Sequence, residues 1–140
     1  MNELLLKAFS KKGIPSQIIH SQLPVINAEI RKILNGVGVV DFTVEFESDP
    51  NSNAMDIYID YGNGDRRLIE TCCGMEKMVT ALATRIAMIN VSVLPKTDIL
   101  IIDEGFVSLD DENSKSIVQM LHSLKKWFKN IMLITHIDSI

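Results

Sequence analysis

The chain has 140 residues, of which 46% are hydrophobic, enough to bury a core in one domain, and its formal charge is −4. That charge excludes a basic field over the whole chain, so contact with nucleic acid needs a local patch or another part of an assembly. With no run of about 18 apolar residues and no basic-then-apolar leader, the sequence predicts no membrane segment and a cytoplasmic address.

In chain order, Asn2 to Lys12 reads as a short helix ended by Gly13-Ile14-Pro15. A second helix runs from about Pro15 or Pro24 to Leu34. Its apolar residues Val25, Ile26, Ile30, Ile33 and Leu34 recur at helical spacing, and Asn35-Gly36 is the expected exit. The period then changes to two. Phe42, Val44 and Phe46 alternate with Thr43, Glu45 and Glu47, and Met55, Ile57, Ile59 and Tyr61 alternate with Asp56, Tyr58 and Asp60, which predicts two strands with one wet face each. Asp49-Pro50-Asn51-Ser52-Asn53 is the turn between them, and Gly62-Asn63-Gly64-Asp65 a second turn that returns the chain along Arg66 to Glu70. The result is an antiparallel meander.

From Gly74 the helical period resumes. Met78, Leu82, Ile86, Ile89 and Val93 form one face, with Val79, Ala83 and Ala87 beside it, so this helix is expected inside the fold until Pro95 closes it. A strand at Asp98 to Ile102 follows, then a helix from about Asp111 to Lys129 with an inward stripe of Ile117, Met120, Leu121, Leu124 and Phe128. Its acids Asp110, Asp111 and Glu112 lie at the start and Lys125, Lys126 and Lys129 at the end, as the helix dipole favours. Ile131 to Ile134 is a second aliphatic strand, so this half is a parallel strand, helix, strand unit. No internal repeat or low-complexity tract interrupts it.

Two cysteines occur, the neighbours Cys72 and Cys73. Adjacent cysteines close only a strained ring, and His20, His122 and His136 are remote in sequence, so neither a structural disulfide nor a thiolate metal site is expected.

Chemistry concentrates at two strand ends. Ile99-Leu100-Ile101-Ile102 runs directly into Asp103-Glu104, and the next aliphatic strand runs into Thr135-His136. A continuous aliphatic run suits a strand covered on both faces, and such a strand has no packing use for two acids at its end. Alone, the acids equally describe a solvated strand end, and His136 a scaffold histidine. Together they lie where parallel sheets bind ligands, with a first carboxylate suited to holding magnesium and a second to deprotonating water.

These residues resemble the ABC-type ATPase heads, specifically the SMC and SbcC branch. Ile99 to Glu104 resemble the Walker B strand with its catalytic glutamate, Ser108-Leu109-Asp110 the D-loop, and Thr135-His136 the switch-histidine loop. Cys72-Cys73-Gly74-Met75-Glu76-Lys77 is similar to the signature motif L-S-G-G-E-K, with Cys73 in place of its serine and Met75 in place of a glycine. Upstream, Lys7-Ala8-Phe9-Ser10, Gly13-Ile14-Pro15, Leu23-Pro24 and Asn27 resemble the passage where SbcC-type chains leave a coiled coil and re-enter the head. No G-x-x-x-x-G-K-S/T loop is present, so the Walker A half of an ATP site is missing.

The resemblance implies an α/β fold: the C-terminal lobe of a P-loop NTPase head, with parallel strands flanked by helices plus a small antiparallel meander. It implies one lobe over 1–140, divided into a coiled-coil exit (1–36), antiparallel strands (37–70) and the motif-bearing region (71–140). ATP and Mg2+ are the implied cofactors. Asp103 would orient the metal's shell, Glu104 would be general base and His136 would contact the γ-phosphate. Cys73, Gly74, Glu76 and Asp110 would bind nucleotide across a dimer of heads. The implied partners are an N-terminal Walker A lobe, a second head, a nuclease subunit and, through the full assembly, DNA, with repair, recombination or chromosome maintenance as the setting. The isolated chain is expected to be inactive. A degenerate, non-catalytic docking module of the same fold is the alternative.

Overall fold

The computed structural model describes residues 2–10, 12–38, 40–48, 54–103 and 111–135. Its elements are α1 (Asn2–Ala8), α2 (Ile14–Val37), β1 (Thr43–Ser48), β2 (Met55–Asp60), β3 (Arg66–Leu68), a 3-10 turn at Ile69–Thr71, α3 (Gly74–Val91), β4 (Ile99–Asp103), α4 (Asp111–Leu124) and β5 (Asn130–Ile134). The expected turn at 49–53 lies outside the described residues, as do the side chains of Asp111, Glu112 and Ile117.

The first helix ends at Ala8 rather than Lys12, and α2 starts at Ile14, with Gly13 as its N-cap and Pro15 in its first turn, where a missing N–H costs nothing. Pro24 lies inside α2 and does not break it. An internal proline costs about 3 kcal/mol, but Ile30, Ile33 and Leu34 are buried to within 1% on the same helix, each contributing about 1.5–3 kcal/mol. The exit is also later than Asn35-Gly36: the helix continues to Val37 and stops at Gly38, whose φ of 65° is left-handed and whose N–H returns to the Leu34 carbonyl at 3.1 Å. Gly36 is a glycine for a different reason. A Cβ there would lie 2.8 Å from Cη2 of Trp127, so the indole packs directly on the helix backbone. Ser123 Oγ and Lys126 Nζ donate to the Val37 and Gly36 carbonyls at 3.2 Å each, capping the end of α2 from the end of α4.

The meander forms as its alternation predicts. β1 pairs antiparallel with β2 (Val44 with Ile59, Phe46 with Ile57) and β2 with β3, which ends at Leu68 because the chain turns there into the 3-10 segment. Val44, Phe46 and Ile59 are buried, while Glu45 and Glu47 face outward, paired to Arg31 and Arg66 at 2.8 and 2.6 Å. On the outer edge of β1, the Asn27 side chain accepts from Phe46 N–H at 2.9 Å and donates to Phe46 C=O at 3.0 Å, taking the place of a neighbouring strand.

Helix α3 buries Val79, Thr80, Leu82, Ala83, Ile86 and Ala87. It ends at Val91, so Val93 falls beyond it and is fully exposed instead of extending the apolar face. α4 stops at Leu124, five residues before the expected end, because Lys125, Lys126 and Trp127 bond three residues back in a tightened turn. Met120, Leu124 and Phe128 are buried as expected.

β4 and β5 pair in parallel, Leu100 with Ile131 and Ile102 with Leu133. The expectation of strands covered on both faces is corrected here. Leu100, Ile102, Ile131 and Leu133 pack against the core, but Ile99, Ile101, Met132 and Ile134 are 50%, 60%, 56% and 44% exposed. The aliphatic run does mark a parallel sheet, but among the described residues only one face of it is covered. No described helix is long and apolar enough to cross a membrane.

The Trp127 contact sets a sign that urea denaturation can read. Gly36→Ala is expected to lower stability by about 1–2 kcal/mol, because the clash outweighs the helical gain of roughly 1 kcal/mol from alanine. In a Trp127→Leu background the same change is expected to stabilise. A stabilising Gly36→Ala in the wild-type chain would contradict this packing.

Candidate functional site

Two of the predicted groups stand at the ends of elements that can use them. Gly74 is the first residue of α3 and Cys73 its N-cap, extended at φ −71° and ψ 169°. Glu76, at the third helical position, reaches back so that Oε2 accepts the Cys73 N–H at 2.8 Å, the arrangement of a capping box with a thiol where serine or threonine is usual. Lys77 donates from its backbone N–H to the Cys73 carbonyl at 3.1 Å and from Nζ to the Glu70 carbonyl at 2.9 Å, tying the helix start to the 3-10 turn. Met75 packs its side chain against the core. Both cysteines are free thiols, Cys72 buried and Cys73 exposed.

Glu76 has a second partner that sequence reasoning missed. The Tyr61 hydroxyl donates to Glu76 Oε1 at 2.7 Å, joining the last residue before the Gly62–Asp65 turn to the start of α3. Tyr61 reads in sequence only as one more member of an alternating strand, and no spacing rule links it to a residue fifteen positions later. Burial pushes the Glu76 carboxyl up, but the hydrogen bonds from Tyr61 and Cys73 outweigh it and hold the group below the ordinary carboxylate range. Burial and the bond to Glu76 together push the Tyr61 phenol well above its ordinary value, so it remains a donor.

Asp103 closes β4, exposed and opposite Ile134. Strand alternation places it on the same face as Ile99 and Ile101, the face without a cover. A groove of about 550 Å³ runs between α3 and β4, walled by Met78, Leu82, Ile86 and Ile89 against Leu100 to Ile102, with Asp103 and Gly74 both on its lining. Glu104, Asp110 and His136 lie outside the described residues, so the structure does not place them relative to Asp103. Among the described residues no three His, Cys, Asp or Glu side chains gather as a metal cluster.

The donor set fits a magnesium nucleotide in two separate parts. A carboxylate at the carboxyl end of a parallel strand suits a hard cation's shell, and an 18-residue helix beginning with glycine presents first-turn N–H groups and a dipole to an anion. Neither part supplies a cradle for the β- and γ-phosphates.

No protein-family model matches the chain. It is similar to an uncharacterised protein of Acanthamoeba polyphaga mimivirus, 26% identical and covering 91% of this chain but 10% of that protein. It is likewise similar to the DNA double-strand break repair Rad50 ATPase of Saccharolobus solfataricus, 23% identical over 99% of this chain and 16% of that one. The chain thus spans only a small fraction of the curated relatives it matches. Among solved structures, an SMC ATPase from work on ATP-driven dimerisation and DNA-stimulated activation superposes with a TM-score of 0.65 at 22% identity, covering 89% of this chain and 74% of that one. The chain has the α/β fold of an SMC-type P-loop ATPase head, with its parallel and antiparallel sheets.

The depressed Glu76 carboxyl sets a pH dependence. Because its folded value lies below the unfolded value of about 4.3, the stability it contributes is present above that pH and lost as pH falls through the folded value. Glu76→Gln is expected to be less stable at neutral pH and to lose less stability on acidification below pH ~4. Parallel stability curves for variant and wild type across that range would contradict the assignment.

Proposed function

We propose that this chain is the signature-bearing C-terminal lobe of an ATP-hydrolysing head of the SMC and SbcC type, acting in DNA repair, recombination or chromosome maintenance once a Walker A lobe completes it. One observation carries the reading: Asp103 stands at the end of an aliphatic sheet face left open by Ile99, Ile101, Met132 and Ile134. Parallel sheets occur with both faces covered, so this face calls for another layer of protein, and the acid is placed where that layer would meet it. The relatives, being several times longer than the aligned region, have room for such a layer. The exposed apolar residues Leu6 on α1, Phe9 just beyond it and Ile18 on α2 support the first 36 residues as a coiled-coil exit, with 37–70 as the meander and 71–140 as the motif-bearing part.

In this reading Asp103 would orient the metal shell, Glu104 would accept the proton of the attacking water and His136 would contact the terminal phosphate. Cys73, Gly74, Glu76 and Asp110 form the surface offered to the opposing head's nucleotide. Bound Mg2+ and ATP would supply the electrophilic phosphoryl group and neutralise its charge. A nuclease subunit and DNA would be engaged by the assembled protein. Arg66 and Arg67 are already paired to Glu47 and Asp65, so among the described residues the meander offers DNA no unpaired positive side chain.

The chain alone is expected to hydrolyse ATP negligibly and to gain activity when mixed with its Walker A lobe; micromolar ATP affinity by calorimetry for the isolated 140 residues would overturn the split-site reading. In the completed head, Glu104→Gln is expected to lower turnover by roughly 10²–10⁴ while trapping an ATP-bound dimer, and unchanged turnover would remove Glu104 from the mechanism.

The second reading, a non-catalytic docking module, is favoured by Cys73, whose thiol is a weaker donor to phosphate than serine. Cys73→Ser separates the two. An enzyme is expected to change its rate several-fold, whereas a scaffold gains helix stability of at most about 1 kcal/mol and no activity.

A further inference from the structure

We infer that Tyr61 is a positioning residue for the N-terminus of α3: its hydroxyl holds Glu76 Oε1 at 2.7 Å, which keeps Oε2 on the Cys73 N–H at 2.8 Å and aims the first turn of the helix from the meander. The functional consequence rests on the reading that this helix start faces a nucleotide.

Tyr61 is held by several neighbours. Its N–H donates to the Asp65 carbonyl at 2.9 Å across a turn in which Gly62, Asn63 and Gly64 all have positive φ. Its ring meets Phe42 edge-on, with centroids 6.0 Å apart, and the Arg67 guanidinium lies 5.1 Å over its centre. Arg67 is itself held by Asp65 through two bonds of 3.0 and 2.7 Å. The hydroxyl is therefore a point belonging to the sheet, not a freely rotating group. Glu76 is the opposite case, a three-torsion side chain that would sample other rotamers if only the Cys73 N–H restrained it. The nearby thiol cannot substitute: Cys72 Sγ lies 3.8 Å from the hydroxyl, and its own hydrogen is directed to the Leu68 carbonyl at 3.4 Å.

This arrangement links the helix start of the proposed site to the meander in a way the capping box alone does not. The cap satisfies the helix locally, whereas the tyrosine ties that cap to the turn between β2 and β3. A displacement of the turn thereby becomes a displacement of the Cys73, Gly74 and Met75 amides. In the proposed head, the Gly74 and Met75 amides belong to the surface presented to the opposing nucleotide, so their aim sets how much ATP is needed to close two heads.

Tyr61→Phe removes the hydroxyl and keeps the ring on Phe42 and under Arg67. On the full chain, the pH titration of the Cys73 amide proton shift reads Glu76 directly. In Tyr61→Phe its midpoint is expected to rise towards the ordinary carboxylate range and its amplitude to fall, and an unchanged midpoint would overturn the inference. In the completed head carrying Glu104→Gln, the ATP concentration for half-maximal dimerisation is expected to rise at least about fivefold with Tyr61→Phe. Glu76→Ala is expected to raise it too, with no further rise when both changes are combined, since the tyrosine acts through the glutamate. Additive effects would overturn the positioning role. A wild-type head that never dimerises with ATP, alongside a responsive Cys73 titration, would refute the nucleotide reading and leave Tyr61's hold on α3 standing.

Discussion

Packing of α2 on α3 is the constraint on which the rest of the geometry depends. Ile33, Leu34 and Val37 of one helix and Val79, Leu82, Ala83 and Ile86 of the other, with Met120 and Leu124 from α4, close around a single small void. Alanine at 83 and 87 keeps that face of α3 low, and both residues are buried. Because α2 also lies over β1 and is clamped to its edge through Asn27, the same contact locates the meander. Because α4 leads into β5, it locates the parallel strands as well. The start of α3 and the end of β4 are thus held on one framework.

Among the described residues, the helices of that framework cover one face of the β4–β5 pair and leave the other aliphatic and open, with Asp103 on the open side. An exposed row of isoleucine and methionine on a parallel sheet is costly in water, roughly 25 cal/mol for each Å² of apolar surface left wet. In the proposed head the position of the acid would give this exposure a chemical meaning. A metal held there would lie at the boundary with whatever covers the sheet, which is how a site divided between two lobes must be built.

Much of the fold was legible from residue pattern. The period-two stretches at Phe42–Phe46 and Met55–Tyr61 became paired strands, the helix did begin at Gly74, and the aliphatic runs ending at Asp103 and Ile134 did pair in parallel. What the pattern misjudged were features decided by distant contacts. Gly36 looked like a helix stop because glycine usually is one, but it serves to admit Trp127, and Gly38 provides the left-handed exit. Pro24 looked like a possible helix start because local cost is visible in sequence and the compensating burial of Ile30 and Ile33 is not. The covered sheet was overread for a similar reason: hydrophobicity records the need for a cover, not which chain supplies it. Of the candidate site, Cys73, Gly74 and Glu76 were expected from resemblance to the signature motif and Asp103 from the aliphatic run that it ends, and they stand at a helix start and a strand end, whereas Tyr61 became visible only when the turn brought its hydroxyl to Glu76.

The central claim is that the open face of β4 and β5 is the seat of a second lobe. Methyl NMR of the chain labelled at isoleucine and methionine, recorded with and without a Walker A lobe, tests it most directly. Shifts concentrated at Ile99, Ile101, Met132 and Ile134, with the buried Ile30 and Ile86 little changed, are the predicted result. Binding that perturbs only α1 and α2, or a mixture in which those four methyl groups remain as they are in the free chain, would contradict it.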